Sequence, residues 1–195
     1  MISCLLLCAG QSSRFGSPKA LALIQGQTVI SRLQQMLLDS CVDEIIIVTG
    51  AHAQEITPYL LNHKKIKHVY NKNYILGQTS SFQAGLDEVC PQAQGLMLLP
   101  VDYPLVTTPT INLLVDKFIQ DPLKIVIPTY NGQKGHPPIF PVVLKNEFLS
   151  LDSKEGLNVV QRRHKEIIVC WPVTDPGVSQ SFNTLEEFKR LENSN

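Results

Sequence analysis

Short, continuously apolar runs separated by segments of helical spacing are the feature that most narrows the folds open to this chain. The runs are ISCLLLC (residues 2–8), DEIIIVTG (43–50), KHVY (67–70), GLMLLP (95–100), KIVIPTY (124–130) and EIIVCW (166–171). Unbroken rather than alternating apolarity suits strands covered on both faces, as in a parallel sheet flanked by helices. Between the runs, Val29, Ile30, Leu33, Met36 and Leu37 share one helix face, with Thr28 placed to cap it. Ile111, Leu114, Val115, Phe118 and Ile119 repeat that spacing, with Thr108 as the cap and Pro109 in the first turn. Thr184 followed by Glu187 has the capping-box pattern of a last helix. Strand alternating with helix predicts a three-layer α/β fold, Rossmann-like with a mostly parallel sheet, as one domain over residues 1–195. Ligands of such sheets bind beyond the carboxyl ends of strands, where the strand order reverses. Chemistry is therefore expected in the loops that follow runs 2–8 and 95–100.

Composition removes several classes of function. Lys+Arg and Asp+Glu number 17 each, so the chain lacks the basic excess of a nucleic-acid binder. No stretch approaches the roughly 20 apolar residues that span a bilayer. The opening MISCLLLCAG has no basic n-region and reads as a buried strand rather than a leader, which gives a cytoplasmic expectation. The five cysteines show no CxxC spacing and read as reduced thiols packed in a core. His52, His63, His68 and His164 show no metal-ligand spacing and read as surface or satisfied residues.

The first of the two loops is LLLCAGQSSRFGSPKAL, residues 5–21. Gly10 and Gly16 flank a polar turn holding Ser12, Ser13 and Arg14, with Lys19 just beyond. Small residues let backbone amides approach an anion; Arg14 offers a planar fork of donors and Lys19 a point charge. Such a turn can equally be a solvated surface turn whose glycines serve only backbone geometry. It matches neither the P-loop GxxxxGK[ST] nor the dinucleotide fingerprint GxGxxG, which disfavours a dehydrogenase. In the second loop, Asp102 stands between Pro100 and Pro104, which restrict the backbone on either side. A rigidly presented carboxylate suits Mg²⁺, an ion commonly held by one or two carboxylates plus substrate phosphates. The alternative is a residue that caps the following turn.

Taken together, these motifs resemble those of the MobA-like NTP transferases, most closely the molybdenum cofactor cytidylyltransferase branch. LLLCAGQSSRFGSPKAL is similar to the family's LAAGxSxRMGxPKxLL, and PVDYP to its metal-binding PxDxP. NKNYILGQTSSFQAGL (71–86) resembles the segment ending GMSSSLRAGL, and KGHPPIF (134–140) resembles RGHPVLF. DSKEGLNVV (152–160) is similar to a loosened GDxGAR, and SFNTLEE (181–187) stands where members often carry DIDTPED. The resemblance implies a nucleotide-diphospho-sugar transferase type of fold and transfer of NMP from an NTP to a phosphate of a small acceptor, molybdopterin by analogy. It implies nucleotide contacts at Leu7, Cys8, Ala9, Gly10, Gly77, Gln78, Thr79, Ser80 and Ser81, with Arg14, Lys19 and Asp102 catalytic. Ala9, where guanylyltransferase relatives carry Gly, favours CTP over GTP. Mg²⁺ would be held by Asp102 and by Asn183, which replaces the family's Asp and brings an oxygen without a charge. His136 has the chemistry of an acceptor contact and equally that of a structural loop histidine. Implied partners are the NTP, the acceptor, and a molybdoenzyme or its chaperone. Two rival readings stay open: a sugar, polyol or lactyl phosphate acceptor, and a non-catalytic nucleotide-binding accessory protein.

Overall fold

The computed structural model describes residues 1–193. In chain order its strands and helices are β1 (Ile2–Cys8), the hairpin β2 (Leu23–Ile24) and β3 (Gln27–Thr28), α1 (Val29–Leu38), β4 (Glu44–Thr49), α2 (Ala53–Ile56), β5 (Ile66–Tyr70), α3 (Gln78–Leu86) and β6 (Gly95–Pro100). The second half adds α4 (Thr108–Gln120), β7 (Ile125–Tyr130), β8 (Gln133–Lys134), β9 (Ile139–Pro141), α5 (Lys145–Leu149), α6 (Asn158–Arg163), β10 (Ile168–Pro172) and α7 (Leu185–Asn193). The large sheet runs β10-β7-β9-β6-β1-β4-β5, with β8 added on β7. All pairings in it are parallel except those of β9 with β6 and β7 and of β8 with β7. This is the mostly parallel α/β architecture that the apolar runs predict.

The central strands are buried on both faces because two helical layers cover them. Cys4, Leu6 and Cys8 pack with Leu33 and Leu37 of α1 and with Leu114 and Phe118 of α4. Leu5, Leu7 and Ala9 point the other way, toward Phe82 of α3, Phe140 and Phe148. Phe148 receives the rings of Phe82 and Phe140 edge-on, each at 5.0 Å. Gly85 lets α3 lie close to the sheet, since a Cβ there would stand 2.8 Å from Leu5 and 2.9 Å from Val48.

Several local expectations change. The cap of α4 is Thr107 rather than Thr108, because Thr108 already has helical backbone and Pro109 follows it inside the first turn. Ile119, on the periodic stripe of that helix, is 58% exposed. Only Cys4 and Cys8 are packed in the core; Cys41 and Cys170 are exposed, and all five thiols are free. No helix among the described residues is long and apolar enough to cross a membrane.

Strand order fixes where a site can form. From β1 the chain crosses to β4 and β5 on one side, whereas β6 lies on the other side of β1 and leads on to β7. The reversal falls between β1 and β6, and their carboxyl ends are in register, with Leu7 opposite Pro100.

Candidate active site

The loop leaving β1 is a tight turn locked from inside and outside. Ser12 (φ 52°) and Gly16 (φ 85°) adopt left-handed backbone. The Ser12 carbonyl accepts from the amides of Phe15 and Gly16, and its hydroxyl accepts from the Lys19 amide. Phe15 leaves the turn inward and packs edge-on against Phe182 (5.2 Å) and Phe188 (5.6 Å). That aromatic contact fastens the basic turn to a segment about 170 residues later in the chain. It brings Arg14 Nη2 to 3.2 Å and Lys19 Nζ to 2.9 Å from the side-chain oxygen of Asn183.

The loop leaving β6 closes the third side. The Val101 amide donates to the Leu7 carbonyl at 3.1 Å, and the Tyr103 amide donates to Pro100 at 3.2 Å. Asp102 is thereby turned toward Lys19, with Oδ2 3.4 Å from Nζ; the two side chains are 21% and 13% exposed. The Phe182 amide donates to the Asp102 carbonyl, linking this loop directly to the Asn183 segment. Asp175 reinforces the link: its carboxylate accepts from the Thr107 amide and hydroxyl, the Thr110 hydroxyl and the Gly177 amide. Glu187 then orients Asn183, accepting from the amides of Asn183 (2.6 Å) and Thr184 (3.2 Å), while Thr184 Oγ1 accepts from the Glu187 amide. The expected capping box is present. The Asn183 amide, opposed by a small desolvation, and then the Thr184 amide and the nearby Arg14 and Lys19 charges hold the Glu187 carboxyl below its usual range.

These groups surround a cavity of about 370 Å³. Of the residues expected at a site, Leu7, Cys8, Ala9, Gly10, Arg14, Lys19, Gly77, Gln78, Ser81, Asp102 and Asn183 line it. Thr79, Ser80 and His136 do not. Thr79 donates to the Glu155 carbonyl, and Ser80 donates to the Asn73 and Gly77 carbonyls, so both hydroxyls serve the fold. His136 lies against the Tyr103 ring at 4.4 Å, near the Leu98 carbonyl, and burial pulls its pKa down. Sequence reading missed Gln11, His52, Tyr74 and Ile75, which also line the cavity. For His52 a signal existed: it follows β4, whose carboxyl end lies at the same edge of the sheet as that of β1.

Residues 4–167 match the model of the MobA-like NTP transferase domain. The chain belongs to that family. Among MobA-like relatives, a probable molybdenum cofactor guanylyltransferase of Bacillus cereus (strain Q1) is 29% identical over 132 residues, 67% of this chain and 62% of its own length. The chain thus spans about three fifths of that relative. A molybdenum cofactor cytidylyltransferase of Escherichia coli (strain K12) is 29% identical over 136 residues, 70% of this chain and 68% of its own. Nicotine blue oxidoreductase of Paenarthrobacter nicotinovorans is 26% identical over 195 residues, 95% of this chain and 94% of its own. The fold is shared with Rv0371c from Mycobacterium tuberculosis H37Rv, at a TM-score of 0.84 and 22% identity over 100% of both chains. Rv0371c has also been solved in complex with manganese.

The oxygen donors of this MobA-like cavity fit a hard divalent cation only in part. Asp102 supplies one carboxylate and Asn183 one amide oxygen, and both already face a cation, the Lys19 ammonium. No group of three or more His, Cys, Asp or Glu side chains that could hold a metal exists among the described residues. Such a sparse set suits an ion that keeps its waters and arrives with substrate phosphates, not one caged by protein alone.

Proposed function

We propose that the chain is a nucleotidyltransferase, which joins the NMP of an NTP to a phosphate of a small acceptor and releases pyrophosphate. One observation carries this reading: Arg14, Lys19, Asp102 and Asn183, from three separate segments, meet at one cavity at the strand-order reversal. An acceptor phosphate oxygen attacks the α-phosphorus in line, the bond to the bridging oxygen breaks, and pyrophosphate departs. Little covalent work falls to the protein, so positioning and charge stabilisation supply the rate. The backbone at Ala9 and Gly10 lies against the nucleotide, and the first loop's two cations meet the triphosphate. Lys19 exchanges Asp102 and Asn183 for a phosphate oxygen, and with Arg14 it offsets the charge that grows on the leaving group. Mg²⁺, when bound, would be held by Asp102, Asn183 and the phosphates, and would neutralise part of the triphosphate charge.

The preferred nucleotide is CTP and the acceptor molybdopterin. Ala9 and the kinship to molybdenum cofactor transferases support this choice, and a molybdoenzyme or its chaperone is the proposed recipient of the product. Pyrophosphate release measured with each of the four NTPs, Mg²⁺ and either molybdopterin or a sugar, polyol or lactyl phosphate tests it. CTP with molybdopterin is expected to turn over fastest; absence of pyrophosphate release with every combination of NTP and acceptor would refute transfer.

A second reading comes from a relative that matches 95% of this chain and is an oxidoreductase by name. Reduction of a dye by NADH or NADPH without pyrophosphate release would favour it.

A further inference from the structure

His52 stands between β4 and α2, on the wall of the cavity, with a quarter of its side chain exposed. Its Nδ1 lies 2.8 Å from Oε1 of Glu55, and its Nε2 lies 3.1 Å from the backbone carbonyl oxygen of Gln11. An ionised carboxylate and a carbonyl can only accept. A neutral imidazole has one N–H and therefore serves one of these partners; the ring that serves both carries two protons and a positive charge. Gln11 directly follows Gly10 in the loop that carries Arg14 and Lys19, and a Cβ at Gly10 would meet nothing within 4 Å. This thin stretch of wall is held from the β4 side, by the Ala51 amide on the Ala9 carbonyl and by His52 on the Gln11 carbonyl.

We propose that His52, as an imidazolium bridging Glu55 and the Gln11 carbonyl, is a positioning residue that shapes the cavity wall and tightens NTP binding. The inference rests on the nucleotidyltransferase reading above. When the neutral ring keeps its one N–H for the Glu55 carboxylate, the bond to Gln11 is gone and that peptide is free to turn its carbonyl toward the cavity, against an anionic ligand. With both bonds made, the carbonyl is tied back and a third cation joins Arg14 and Lys19 on the wall. Glu55 on α2 is the charged group bonded to the ring. The other elements that wall the cavity contribute Arg14 and Lys19 from the β1 loop, Asp102 from the β6 loop and the phenol of Tyr74. Burial alone favours the neutral ring, but the bonds to Glu55 and to the Gln11 carbonyl outweigh it, so the charged form persists above the usual histidine range.

Two measurements test the clamp. In the ligand-free protein, ¹⁵N spectra of the His52 ring across pH are expected to show both nitrogens protonated, with a midpoint above about 6.5. In CTP kinetics with Mg²⁺ between about pH 6 and 8, KM for CTP is expected to rise roughly three- to tenfold as the ring deprotonates, with kcat unmoved. His52→Gln keeps one donor for Gln11 and should give a flat KM profile. Glu55→Gln should move the wild-type profile to lower pH, an effect that a merely structural histidine would not produce. Identical KM profiles in wild type and His52→Gln, or a ring that titrates below the usual value with one nitrogen bare, would overturn the proposal. If no NTP is turned over, the functional reading fails, and the ring spectra alone then decide whether the clamp exists.

Discussion

Lys19 Nζ lies 2.9 Å from Asn183 Oδ1 and 3.4 Å from Asp102 Oδ2, so an ammonium sits between the two oxygens best placed to receive a metal ion. One full negative charge faces two cations here, because Asn183 accepts from both Arg14 and Lys19 while contributing only a dipole. The resting site is therefore poised for an anion and poorly poised for a free divalent cation. Nucleotide and ion are expected to enter together, the phosphates supplying the charge that the protein withholds.

Asn183→Asp should shift that balance. A second carboxylate beside Asp102 raises the site's negative charge, and ligand charge count is a main determinant of divalent-ion affinity. The Mg²⁺ concentration that half-saturates turnover is expected to fall about tenfold, the scale on which one metal-site partner acts. A magnesium titration of pyrophosphate release at saturating NTP reads this directly. An unchanged midpoint would remove position 183 from the metal's surroundings.

Asp102→Ala and Lys19→Ala probe the same centre from its two charged sides. Each should lower turnover by on the order of 100-fold or more, as removal of an electrostatic stabiliser does. Thermal melting should shift little, since a single part-exposed pair contributes about 0–1 kcal/mol. Wild-type rates for Asp102→Ala at every Mg²⁺ concentration would show that the carboxylate plays no part in transfer.

The strands that form the middle of the sheet were legible because burial on both faces writes itself as unbroken apolarity. Runs 2–8 and 95–100 coincide with β1 and β6, and run 43–50 overlaps β4 to within a residue at each end. β9 was not legible: it is three residues long, follows consecutive prolines, and gains its place only by insertion between β6 and β7. The motifs that name Arg14, Lys19, Asp102 and Asn183 were readable one by one. Their meeting was expected from the strand pattern and the resemblance; the contact that secures it, Phe15 reaching Phe182 and Phe188, was not legible, because nothing in the local sequence pairs those rings. Thr79 and Ser80 show the converse, as small polar residues at a helix start that the fold consumes for its own hydrogen bonds.

Two glycines separate packing from binding. At Gly177 a Cβ would stand 2.3 Å from the Leu105 carbonyl oxygen, a backbone atom that cannot step aside. Gly177→Ala is expected to cost about 1–3 kcal/mol, as overpacking does, and to lower the melting temperature by several degrees in a chain of this size. At Gly10 the same addition meets nothing in the protein, although the residue lines the cavity. Gly10→Ala should leave the melting temperature in place and raise KM for the NTP. Calorimetry and steady-state kinetics on the pair check both halves. Equal melting losses would mean that the open space at Gly10 is not real.

Stability should also depend on pH through His136. Burial disfavours its charged form, so the folded-state pKa lies below the unfolded value of about 6.5. Between the two values the unfolded chain binds more protons than the folded one, so stability rises with pH across that window. The contribution is complete above the unfolded pKa and is lost as pH falls through about 6.5 toward the folded value. His136→Gln cannot titrate and should flatten that part of the curve, even where it lowers stability at neutral pH. Chemical denaturation of both proteins at several pH values reads the difference, and subtraction removes the opposing effect of His52, whose pKa is raised. Parallel curves would place the His136 ring in water rather than against Tyr103 and the Leu98 carbonyl, where the structure has it.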